Sequence, residues 1–134
     1  MSKFGRLCAR FGRFNLVGLM GAALQLLLLD LLVECCGLSA VVAAPIAVET
    51  AVLHNFFWHE RFTWRNQGAP HQRAVRLWRF HAGNGLISIG GNTLLTYCLS
   101  HQLQAPPLAS AVIAISLCSP INFLVADFWI YKEK

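Results

Sequence analysis

Between Ser39 and Phe57 the chain is almost wholly apolar, and the exceptions are Glu49, Thr50, His54 and Asn55. On a helix Thr50 and His54 share a face at i and i+4, with Glu49 beside them, so the three make one polar strip descending toward a basic segment. An ionised carboxylate at mid-bilayer costs ~2.5–3.5 kcal/mol or more, which requires Glu49 to be protonated, paired or turned to a polar cavity. Two roles fit: a proton-sensitive group or partner for a sugar hydroxyl, or a neutral acid hydrogen-bonded to Gln25 or Asn92 on other helices. Those two amides would each tie helices together by ~0.6–2 kcal/mol. Just past the strip come Trp58, His59, Arg61 and Trp64. A planar guanidinium can hold a phosphate bidentately, and lipid phosphates lie at the depth where a helix leaves the hydrocarbon. The indoles either stack on a sugar face or mark the headgroup layer. Asn55 and Asn122 either bond backbone freed at helix exits or touch a ligand.

Side chains of this kind must be positioned by membrane helices. Of 134 residues 56% are hydrophobic and only 13% charged, against about 25% charged in soluble domains. The net charge of +5 is confined to segments flanking apolar runs, which points to anionic lipid or phosphate headgroups and away from nucleic acid. The five cysteines (Cys8, Cys35, Cys36, Cys98, Cys118) show no C-x-x-C spacing, so neither a disulfide framework nor a zinc site is indicated. No Ser-His-Asp order, metal-ligand pattern or phosphate-cradling glycine loop is present. An enzyme is not expected, and no cofactor.

Residues 1–14 place Phe4, Leu7, Cys8 and Phe11 opposite Lys3, Arg6, Arg10 and Arg13, the pattern of an amphipathic helix in the headgroup plane. Spanning helices are predicted over about 15–36, 39–59, 82–100 and 108–130, each near the ~20 residues a bilayer core requires. Gly18 and Ala22 form a small-residue pair suited to close helix approach, and Ala40, Ala44, Ala47 and Ala51 lie near one face of the second helix. Pro45 and Pro120 lie inside helices, where a kink is expected. Gly37 is a stop signal and Ser39 an N-cap. Residues 60–81 form the one long polar connection, with a turn at Asn66–Pro70 and a short basic interfacial helix at 72–80.

All 11 Lys and Arg fall in the N-terminal segment, this connection or the C-terminal tail. The positive-inside rule then puts both termini and the connection in the cytoplasm, with an even number of spans. A gapless shift of 67 residues superposes Gly18 on Gly85, Gln25 on Asn92, Asn55-Phe56 on Asn122-Phe123, Phe62 on Trp129 and Trp64 on Tyr131. The expected fold is all-α: four transmembrane helices as two helical hairpins in parallel repeat, preceded by the amphipathic helix.

Arg13-Phe14 with Val17-Gly18, Asn55-Phe56 through Arg61-Phe62-Thr63-Trp64, Arg79-Phe80, and Asn122-Phe123 with Asp127-Phe128-Trp129 together resemble the GtrA-like family, related to the membrane portion of some dolichol-phosphate mannose synthases. The resemblance covers about residues 13–131. Trp64 stands where the family commonly ends this motif in Phe, and His59-Glu60 are extra within it. What it implies is a part in cell-surface polysaccharide assembly at the cytoplasmic membrane. Family members are proposed to help translocate polyprenyl-phosphate-linked sugars, or to accompany a glycosyltransferase. Candidate ligand-binding residues are then Gln25, Glu49, Thr50, His54, Asn55, Trp58, His59, Arg61, Trp64, Asn92, Asn122 and Asp127. A membrane anchor that recruits a glycosyltransferase through the central connection is the alternative. A small proton-coupled exporter would call for a carboxylate where the first helix has Gln25. Four thin helices are few to enclose a sugar, so a homodimer is expected.

Overall fold

The structure, a computed structural model, describes residues 3–65 and 69–132. Residues 66–68 of the predicted turn, and Glu133 and Lys134 of the tail, lie outside the described residues. The described residues are helical or connecting, with no strand. The chain divides into two compact units, Met1–Asn66 and Gln67–Lys134.

In the first unit α1 (Lys3–Asp30) runs on through a π turn at Leu31–Cys35, and α2 (Ala40–Trp58) through another at His59–Thr63. Gly37 ends α1 with φ +68, the left-handed conformation a glycine adopts without steric cost. The Leu38 amide reaches back to the Leu32 carbonyl at 3.0 Å. Ser39 sits in extended conformation at the start of α2, and its carbonyl, not its hydroxyl, receives the Val42 and Ala43 amides at 3.0 and 2.9 Å.

The second unit starts with a 3-10 turn at Pro70–Gln72, then α3 (Arg73–Gly85), a π stretch at Leu86–Gly91, α4 (Asn92–Tyr97) and a π turn at Cys98–Gln102 in one unbroken rod. After the connection, α5 (Pro107–Val125) ends in a π turn at Ala126–Ile130. Gln104 takes the left-handed conformation at φ 53, and the Ala105 amide bonds the Leu99 carbonyl at 3.1 Å. These positions lie 67 residues after Gly37, Leu38 and Leu32. Likewise the Trp64 amide bonds the His59 carbonyl at 2.8 Å and the Tyr131 amide bonds the Ala126 carbonyl at 2.9 Å.

Among the described residues four helical rods result: α1, α2, α3 with α4, and α5. Of these, the stretches Phe4–Cys35, Ala40–Thr63 and Val112–Ile130 are long and apolar enough to cross a membrane. The α3–α4 rod is absent from that group because Asn84, Asn92 and four glycines dilute its apolar content.

Three expectations change. The N-terminal segment is no separate element: Asn15 does not break the helix, because its Nδ2 donates to the Phe11 carbonyl at 2.9 Å one turn back. At 32 residues, Phe4–Cys35 is about 48 Å long and exceeds a ~30 Å core, so its basic first turns overhang. The basic helix at 72–80 is likewise the first part of the α3–α4 rod, since no breaker separates Phe80 from the apolar residues after it. Finally, the close approach in the first unit is not at Gly18 or Ala22. Gly18 has open space around it, whereas a Cβ at Gly21 would overlap the Asn55 amide. The alanines buried on α2 are Ala43, Ala47 and Ala51, while Ala40 is exposed. Pro45 and Pro120 both stand inside continuous helix.

Candidate functional site

Each unit ends, at its basic pole, in the same construction. The π turn after α2 brings His59 and Thr63 to the inner side, where both are buried with Trp64. Phe14 of α1 stacks on the His59 ring at 4.8 Å and 12°, and Trp64 closes the box edge-on to both rings. His59 Nδ1 and Thr63 Oγ1 are hydrogen-bonded at 3.0 Å. In the second unit Phe80, Ala126, Ile130 and Tyr131 are the buried residues of the corresponding corner.

Above each corner an arginine of the first rod lies over an aromatic ring of the π turn. Arg13 sits 5.3 Å from the Phe62 ring centroid and donates to the Phe62 carbonyl at 3.5 Å. Arg79 sits 5.8 Å from the Trp129 ring and donates to the Trp129 carbonyl at 3.3 Å. A guanidinium carries five donors, and one carbonyl bond leaves the planar fork able to take a phosphate oxygen pair. Arg61 adds a third such contact, 5.9 Å over Phe57.

Below the corners the asparagines of the two exits face the opposite rod. The Asn55 amide packs against the Gly21 backbone and its Oδ1 accepts from His54 Nδ1 at 3.3 Å. Asn122 Nδ2 donates to Ser88 Oγ at 3.0 Å, and Ser88 Oγ donates to Asn84 Oδ1 at 3.4 Å.

The predicted set is therefore divided. Buried inside the corner are His59 and Trp64, so neither presents its ring to a phosphate or a sugar at the surface. Arg61 and Trp58 are exposed, and Arg61 lies over Phe57. His54 tilts against Trp58 at 6.3 Å. Thr50 spends its hydroxyl on the Ile46 carbonyl at 2.7 Å, within its own helix. Glu49 is exposed, on a different side from the buried Ala43, Ala47 and Ala51, so the polar strip does not run through the interior of its unit as one seam. Glu49 is one residue, a turn of about 100°, from Thr50 and so faces a different side. Gln25, Asn92, Asn122 and Asp127 are half-buried.

Sequence reasoning passed over the seating of Arg13 and Arg79 on a ring and a carbonyl of the π turns, Gly21 as the contact point, Ser88 and Asn84 as partners of Asn122, and the burial of Arg76. Arg76 is buried and donates to the Ala69 carbonyl at 3.0 Å, tying α3 to the turn before it. A signal for the arginines was present: Arg13-Phe14 recurs as Arg79-Phe80, 66 residues later. The gapless shift of 67 hides it, because one extra residue falls between Phe80 and Gly85 of the α3–α4 rod.

Apolar rods with cationic, aromatic ends define a helical membrane protein. A family model described as the GtrA/DPMS transmembrane domain matches residues 13–131, and the chain belongs to that family. Membership assigns it to membrane-bound glycan biosynthesis. A comparison with curated proteins gives no match.

Proposed function

We propose that the protein assists translocation of a polyprenyl-phosphate-linked sugar across the cytoplasmic membrane during polysaccharide assembly. Two observations support the reading: family membership, and above all the recurrence of an arginine over the ring and carbonyl of a π turn in each unit. On this reading each unit receives a lipid phosphate at the cytoplasmic face, the first through Arg13 and Arg61 and the second through Arg79. Trp58 and His54 line the approach, and the chain performs no covalent chemistry. The α3–α4 rod crosses the bilayer as the fourth span, and the two units form a parallel repeat with both termini cytoplasmic. The bonds recurring at 67 residues and the segregation of the cations support that arrangement.

The exposure of Glu49 on an apolar helix favours a second reading, in which this face is covered by a membrane glycosyltransferase or a second copy and the chain is an anchoring subunit. Flipping of a fluorescent polyprenyl-phosphate sugar in proteoliposomes separates the two. Translocation predicts a rate that scales with protein and falls at least about tenfold in the Arg13→Gln, Arg79→Gln double variant, the order of one charged hydrogen bond at each site. An anchor predicts a rate no greater than protein-free liposomes, with glycosyltransferase co-purification lost in Glu49→Ala.

A further inference from the structure

The two basic poles differ in one respect that a phosphate contact does not require. In the second unit Gly83 follows Arg79 by four residues, one turn along α3 and on the same face. A Cβ on Gly83 would come 3.4 and 3.8 Å from Cζ3 and Cε3 of Trp129, and 3.0 Å from Val125 Cγ1. Trp129 therefore meets both residues of that turn. Its ring lies under the Arg79 guanidinium, 5.8 Å to the centroid, and its benzo side lies against the Gly83 backbone. In the first unit the residue four places after Arg13 is Val17, which is buried, and the ring under the guanidinium is Phe62. The larger ring goes with glycine and the smaller with valine.

Cζ3 and Cε3 are on the side of the indole opposite Nε1, so the N–H is on the far side of the ring from Gly83. Trp129 keeps 46% of its surface exposed. An apolar ring surface with one N–H donor at its rim suits a pyranose, whose C–H face can lie on the ring while a hydroxyl accepts from the N–H. Arg79 donates to the Trp129 carbonyl at 3.3 Å, which keeps the guanidinium beside the ring. A sugar esterified to a phosphate held there is one bridging oxygen away. Phe62 offers a ring and no donor. We propose that Trp129, seated by Gly83, recognises the sugar of the polyprenyl-phosphate-linked substrate, so that the second unit reads sugar with phosphate and the first reads phosphate alone. The inference rests on the translocation reading and names which of its two sites carries sugar specificity.

The test uses the full chain carrying Arg13→Gln, which leaves the second unit's site in place, in zwitterionic nanodiscs. Binding of a polyprenyl hexosyl phosphate, of the equally charged polyprenyl methyl phosphate and of the free polyprenol is read by native mass spectrometry. The hexosyl lipid should bind at least about fivefold tighter than the methyl one, the order of one hydrogen bond. Trp129→Phe, which supplies the ring type of the first unit, should erase that preference. Gly83→Ala, which keeps the indole and crowds its seat, should lower it. No preference for the hexosyl lipid, or a preference unmoved by Trp129→Phe in a folded chain, would overturn the assignment and leave the phosphate reading standing. Equal binding of the polyprenol and the methyl phosphate would instead overturn the phosphate reading on which the inference rests.

Discussion

Gly21 and Gly18 stand one turn apart on α1, and alanine at each should have opposite effects. Around Gly18 nothing lies within 4 Å of a Cβ, whereas at Gly21 the Cβ would overlap Oδ1, Cγ and Nδ2 of Asn55. Gly18→Ala gains only helix propensity, about 0.8–1.0 kcal/mol. Gly21→Ala gains the same but must expel the Asn55 amide. Overpacking costs about 1–3 kcal/mol, and loss of the Asn55 contact to His54 about another 1 kcal/mol. The two variants should therefore differ by about 2–4 kcal/mol, with Gly21→Ala the less stable. Equilibrium unfolding in mixed micelles reads this directly. Combining Gly21→Ala with Asn55→Ala should recover stability through a coupling of about 1–3 kcal/mol. Equal stabilities for the two single variants, or strict additivity in the double, would refute the close approach of α2 to α1 at this level.

The aromatic corner predicts a contrast between two tryptophans six residues apart. Trp64→Ala should destabilise by about 3–5 kcal/mol, while Trp58→Ala, at an exposed position, should stay within about 0.5 kcal/mol; thermal unfolding in detergent compares them. At the turns between rods, Gly37→Ala should cost about 1–2 kcal/mol, because alanine does not tolerate its left-handed backbone. Gln104→Gly should raise the unfolding midpoint for the same reason, less the bond from Gln104 Nε2 to the His101 carbonyl at 2.8 Å. Arg76→Ala should free the turn before α3, measured as faster hydrogen exchange at residues 69–72.

Much of this was legible in the chain, and the failures share a cause. Apolar run lengths and the placement of 11 cations give the helices and their ends, because hydrocarbon leaves backbone polar groups no partner outside a helix. The stop at Gly37 was readable for the same kind of reason, a glycine being the residue that turns left-handed without strain. What could not be read is rotation about each helix axis. Glu49, Thr50 and His54 looked like one seam, yet Glu49 falls on the exposed side, since a neighbour in sequence is a quarter turn away. His59 and Trp64 read as interfacial ligands because their types suit headgroups. The π turn draws them inward, and nothing in residue type announces a π turn. The extra residue in the α3–α4 rod likewise masked the correspondence of Arg13 and Arg79.

Whether the guanidinium–aromatic pairs at the helix exits recognise phosphate is the claim on which the functional account turns. Binding of a polyprenyl phosphate and of the matching polyprenol to the purified chain in zwitterionic nanodiscs, followed by native mass spectrometry, isolates the phosphate contribution from the chain. The account predicts at least about a tenfold preference for the phosphate, the order of one charge-assisted hydrogen bond, erased in Arg13→Gln with Arg79→Gln. Equal affinity for the two lipids in the wild type would contradict it.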